Sequence, residues 1–172
     1  MLSSCDGYLK EDPRDQLYPE DAYDTPQNGY LNTVASLYNY IGGYSDSQGL
    51  QGTYRGVYDL NTFTTDEAML PTRGGDWYDG GFWQGLFLHK WGTNSDAIQA
   101  TWEYLYKVIV LSNQSLEILG ELRQKTDYND LDRYEAEVRA FRAMYYYYLV
   151  DMFGRVPSYR FFFHSGERRA AE

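Results

Sequence analysis

The sequence predicts an all-α protein, and three stretches predict it. Residues 135–157 carry apolar side chains at helical spacing and stop at a glycine. Residues 96–122 keep the same spacing over a longer span, and residues 28–41 keep it over a shorter one. The segment between the first two helical stretches in chain order, 42–93, differs in kind: it holds eleven of the sixteen glycines and three of the four tryptophans.

In chain order, residues 6–25 are polar and contain Pro13 and Pro19, which predicts an extended segment. Tyr30, Val34, Leu37, Tyr38 and Ile41 then recur at the period of a helix. Thr25 is its candidate N-cap, Pro26 suits the first helical position, and Gly42-Gly43 end it. So many glycines over 42–93 weaken regular structure. Only short helical pieces are expected there, around Tyr54 to Tyr58 and Gly81 to Leu88. Asp96 to Leu122 is the longest predicted helix, with a stripe of Ile98, Trp102, Leu105, Ile109, Leu116 and Leu119. Asn113 falls on or beside that stripe and reads as a buried amide that satisfies neighbouring backbone groups.

The last helix places Tyr134, Val138, Phe141, Tyr145, Leu149 and Met152 on one side. Ala136, Ala140, Ala143 and Tyr147 fall opposite, a small-residue face on which a second helix could pack. Glu135 and Arg139 are placed to pair at i, i+4, and Gly154 and Pro157 stop the helix.

Net charge is -10, which disfavours nucleic-acid phosphates and anionic lipid as partners and suits a neutral ligand. No run of 18 apolar residues exists to span a bilayer. Cys5 is the single cysteine, so no internal disulfide is possible.

Four stretches, in order, resemble the SusD/RagB family of surface nutrient-binding lipoproteins. The most specific is Ala136-Glu137-Val138-Arg139-Ala140-Phe141-Arg142-Ala143, followed by the tyrosines before Leu149-Val150 and by Phe153-Gly154-Arg155-Val156-Pro157. Tyr8-Leu9 with Asp12-Pro13 resembles the leader of the family. Thr64-Thr65-Asp66-Glu67 and the loop from Pro71 to Gly81 resemble its acidic segment and glycine-aromatic loop. Trp102, Tyr106, Ile109 and Asn113 resemble its long helix. The resemblance implies a tetratricopeptide-like helical scaffold, and two antiparallel helices with aromatic and alanine faces are similar to one such unit.

It also implies that Leu2-Ser3-Ser4-Cys5 is a lipobox, with Cys5 the lipid attachment point and that anchor the only contact with the membrane. Family members run on for longer. Residues 6–157 therefore read as the N-terminal domain of such a protein, truncated, with 158–172 an atypical tail. The implied role is capture of a glycan, or less readily a peptide, at the outer cell surface and its delivery to a SusC-like, TonB-dependent transporter.

For the site itself, a sugar offers C–H groups on one ring face and hydroxyls around its edge. An exposed aromatic ring with planar polar neighbours meets both. Trp77, Tyr78 and Trp83 supply rings, and Arg73, Asp76 and Asp79 supply edge partners. The competing reading is that these rings pack the loop onto the helices.

Catalysis has little to work with. His89 and His164 lack a nucleophile motif around them, and no ligand spacing for zinc or calcium is present. Asp59, Asp66, Glu67, Asp76 and Asp79 could form a glycosidase pair, but such acids in an acidic chain are more often solvated. No catalytic residue, metal or cofactor is expected. A helical protein-interaction module and a glycoside hydrolase remain the rival classes.

Overall fold

The computed structural model describes residues 21–42, 49–50, 56–75 and 78–158. These residues form helices and turns, with no strand among them. Helix α1 is one run of an α-helical stretch, Pro26–Tyr30, a π-helical turn, Leu31–Ala35, and a last α-helical turn, Ser36–Tyr38. Thr25 caps it, its hydroxyl oxygen accepting from the Asn28 N–H at 3.1 Å, and Pro26 sits where its missing N–H is not needed. In the π turn, the Thr33 carbonyl accepts from the buried Ser115 hydroxyl at 2.8 Å. That bond answers a backbone acceptor inside the core.

Helix α2 spans Val57–Phe63, with Gly56 in extended backbone before it. Of the piece expected around Tyr54 to Tyr58, Tyr54 and Arg55 lie outside the described residues. Helix α3 spans Phe82–Phe87. Helices α4, Asp96–Lys125, and α5, Leu131–Phe153, follow the two longest predicted stretches closely. Gly154 ends α5 with φ 74, a conformation open to glycine, and its N–H donates to Val150 O at 2.9 Å.

Helices α4 and α5 form an antiparallel pair joined by residues 126–130. Their cross-contacts run in opposite directions along the two chains: Arg123 with Glu135, Asn113 with Arg142, Tyr104 with Tyr145, Trp102 with Phe153. Helix α1 lies against this pair and contributes Val34 and Leu37 to the main core. Among the described residues the pair is one antiparallel unit, and no second long pair is stacked on it.

The buried face of α5 is the predicted one at Tyr134, Val138, Phe141, Tyr145 and Leu149, with Leu131 added and Met152 half-buried. The buried face of α4 matches its predicted stripe at Leu105, Ile109 and Leu119 and departs from it elsewhere. Ile98, Trp102 and Leu116 are half-buried, while Thr101, Ser112 and Ser115 are buried. Small hydroxyl side chains let helices approach closely, and the Ser112 hydroxyl donates back to Val108 O at 2.8 Å. Asn113 bonds to a side chain rather than to backbone: its Oδ1 accepts from Arg142 Nη1 at 2.8 Å, tying α4 to α5. Glu135 pairs with Arg139 at 3.4 Å, as the spacing predicts, and also with Arg123 at 2.9 Å.

The alanine face of α5 corrects the two-sided expectation. Ala136, Ala140, Ala143 and Tyr147 are all exposed, because no described helix lies on that side. Alanine there suits the helix by its propensity.

The polar interior centres on two tyrosines. The Tyr104 hydroxyl donates to Tyr40 O and lies 2.9 Å from the Tyr145 hydroxyl. Burial pushes the Tyr104 phenol up to about 12, and burial followed by the bond to Tyr104 raises that of Tyr145.

Two outcomes follow for stability. Leu105→Ala or Leu149→Ala, each in the fully buried core, should cost about 2–5 kcal/mol in urea denaturation. Ala140→Leu should stay within about 0.5 kcal/mol, as an exposed substitution.

Stability should also depend on pH. A phenol raised in the folded state holds its proton where the unfolded chain has lost it. Its contribution is therefore complete below pH 10 and is lost as pH rises toward about 12. Denaturation midpoints should fall across that window, and fall less steeply in Tyr104→Phe.

Candidate functional site

The site is built on α3 and the turns at its two ends. Six residues do not hold a helix in water by themselves. Helix α3 is held by Trp83 and Leu86, three residues apart on one face and both buried in a second core cluster with Leu60 and Ala97. Trp83 meets the Phe63 ring edge-on at 5.2 Å and the Phe82 ring at 4.9 Å. Trp83 is only 6% exposed, so it is an anchor for the loop and offers no face to a ligand. That corrects its expected role as a platform: the packing reading holds for this residue.

The entry turn carries the other predicted residues. Gly80 and Gly81 take φ 64 and 79, and Asp79 takes φ 45, so the chain reverses tightly from Tyr78 into α3. The Gly81 N–H closes this turn on Tyr78 O at 2.6 Å. Tyr78 is 55% exposed, and Arg73 and Asp79 are exposed. Gln84 holds the strand of loop before them: its Nε2 donates to Leu70 O at 3.2 Å and to Thr72 Oγ1 at 2.9 Å. Asp76 and Trp77 lie outside the described residues, as does Cys5.

The exit turn holds an aromatic residue that was not among the predicted site residues. His89 has φ 54 and donates from Nε2 to Thr64 O at 2.7 Å, which fixes it to the end of α2. Lys90 N–H donates to Gly85 O at 2.7 Å. Trp91 follows, 45% exposed, with its ring edge-on to His89 at 5.3 Å. Beside it opens a cleft of about 310 Å³ lined by Leu60, Asn61, Trp91, Ile98, Asp151 and Phe153, among others. The signal for Trp91 was present in the sequence: it is one of the three tryptophans of the glycine-rich segment. Tertiary packing separates it from Trp83, which is buried.

Chemically, both turns present an aromatic face beside polar groups. His89 bonds to a backbone carbonyl, a positioning contact. No group of three or more His, Cys, Asp or Glu side chains is gathered to hold a metal among the described residues. Within the same residues, no helix is long and apolar enough to cross a membrane.

The family comparison meets this geometry over most of its length. The family model SusD-like_3, described as starch-binding and associating with the outer membrane, matches residues 24–164. The chain belongs to the SusD-like family. The match includes both turns, α3, the cleft and the α4–α5 pair, and its description is that of a binding protein. Comparison with curated proteins and with solved structures yields no match.

Separating anchor from platform gives a direct test. Trp83→Ala should lower stability by about 3–5 kcal/mol, the cost of emptying a buried aromatic site. Tyr78→Ala, at an exposed turn, should stay within about 0.5 kcal/mol. Urea denaturation followed by far-UV circular dichroism reads both.

Proposed function

We propose that this SusD-like chain captures a neutral glycan of the starch type at the turn that carries Arg73, Tyr78 and Asp79. The observation that carries the reading is the exposed Tyr78 ring on the turn that leads into α3, whose Trp83 is buried. The ligand class rests on the family description. A tyrosine ring gives a sugar an apolar face, and its hydroxyl gives it a polar rim. The Arg73 guanidinium donates and the Asp79 carboxylate accepts, which matches hydroxyls that do both. Asp76 and Trp77, between Arg73 and Tyr78 in sequence, complete the proposed binding set.

In this reading the protein is a binding component and performs no reaction. It is anchored to the outer membrane through a lipid on Cys5, faces outward, and passes its glycan to a TonB-dependent transporter. Net charge of -10 is compatible with such a ligand, since capture does not rest on opposite charges.

Calorimetry of the full chain against maltoheptaose should show binding that changes little between low and high salt, because no ion pair forms with the ligand. Tyr78→Ala should weaken it by about 0.5–1.5 kcal/mol, roughly two- to tenfold in Kd. Parental affinity in Tyr78→Ala would move the site away from this turn, and binding of peptides alone would replace the ligand class.

The anchor is tested separately. Expressed behind a secretory signal, the protein should fractionate with membranes, and Cys5→Ser should release it. A Cys5→Ser protein that stays with the membrane would rule out the lipid at this residue.

A further inference from the structure

We propose that the cleft beside Trp91 is a second saccharide subsite, so that the ligand is a chain lying along α3 rather than a single sugar. This rests on the glycan reading above. Tyr78 stands at the entry to α3 and Trp91 just after its exit, and both are exposed. A helix of six residues is about 9 Å long. A short helix thus stands between the two residues, and the proposal places one sugar of the chain at each.

The cleft has the composition a sugar ring needs. Trp91 supplies an open aromatic face. Leu60, Ile98 and Phe153 supply apolar walls, and Asn61 and Asp151 supply polar rims. The Asn61 amide both donates and accepts, and the Asp151 carboxylate accepts, so hydroxyls of either orientation find a partner. A volume of about 310 Å³ is at the small end of the range for ligand sites, about 300–1,000 Å³. That limits it to a short portion of a chain. An anionic ligand would meet the Asp151 carboxylate, and a purely apolar one would strip water from it without replacing the lost bonds.

The walls also come from separate elements that share one packing unit. Leu60 is on α2, Trp91 on the turn after α3, Ile98 on α4, and Asp151 and Phe153 on α5. His89 fixes Trp91 to this unit through its bond to Thr64 O. The aromatic face is thus preset before the ligand arrives.

The experiment measures the affinity of the full chain for maltose, maltotriose and maltoheptaose by calorimetry, with Tyr78→Ala, Trp91→Ala, Trp91→Phe and Asp151→Asn beside the parent. Affinity should rise with length in the parent. Trp91→Ala should weaken maltoheptaose at least fivefold and flatten the rise, Trp91→Phe should retain most of it, and Asp151→Asn should fall between. If Tyr78→Ala weakens binding and Trp91→Ala matches the parent at every length, the turn at Tyr78 stands as the site and the second subsite is overturned. If the parent binds none of the three sugars, the glycan reading itself fails and the subsite falls with it. Hydroxyl-radical footprinting of the parent needs no variant: maltoheptaose should protect Trp91, and undiminished oxidation of Trp91 at saturation would overturn the proposal.

Discussion

The register of the α4–α5 pair is the constraint on which the rest of the structure depends, and a polar contact sets it. Apolar side chains alone would let two long helices slide, since burial has no direction. Tyr104 and Tyr145 bring hydroxyls into the core, and a buried hydroxyl needs a partner. Each finds the other at 2.9 Å, and Tyr104 also reaches Tyr40 O, just past the end of α1. Sliding the pair by one turn would break the hydroxyl contact and leave Tyr40 O without its donor. The Arg142–Asn113 bond repeats the same kind of constraint nearer the middle of the pair.

From that register the site inherits its shape. The start of α4 brings Ala97 and Ile98 under α3, and the end of α5 brings Met152 and Phe153 beside them. Those two helix ends lie together only because the helices are antiparallel and fixed in register. Met152 packs against both the main core and the cluster around Trp83, so it joins the scaffold to the site. Trp102 meets Phe153 edge-on at 5.0 Å and closes the same corner. The glycine-rich segment therefore needs little regular structure of its own. Among its described residues, the short helices α2 and α3 carry Val57, Leu60, Trp83 and Leu86 onto the scaffold.

Periodicity made the long elements legible. The three predicted helices, the Thr25 cap and the Gly154 stop all follow from spacing and from residue types that act locally. What the sequence left ambiguous was which face of a mixed helix meets a neighbour. Ala136, Ala140 and Ala143 form a smooth face whether a helix covers it or water does. Ser112 and Ser115 look polar, yet one hydroxyl donates back to Val108 O and the other across to Thr33 O of α1, and this allows burial. The π turn at Leu31–Ala35 left no mark in composition. In the site, Trp83 and Trp91 belong to the same segment and have the same chemistry. The available clue was the i, i+3 spacing of Trp83 to Leu86, a helical face, where Trp91 has glycine next to it.

That division between a buried tryptophan and exposed rings has an energetic logic. Preset binding surfaces avoid the entropy of ordering loops when a ligand arrives. A short helix is unstable alone, so α3 must draw its order from tertiary contact, and Trp83 with Leu86 supplies it. The exposed rings can then stay at the ends of α3 without contributing to its stability. In the proposed reading the two tasks fall to different side chains and are separable by mutation. They remain linked thermodynamically: a ligand that touches both ends of α3 binds only the form in which α3 is docked, and so stabilises that docking by mass action. The local stability of this short helix thereby becomes a term in the affinity for any chain laid along it.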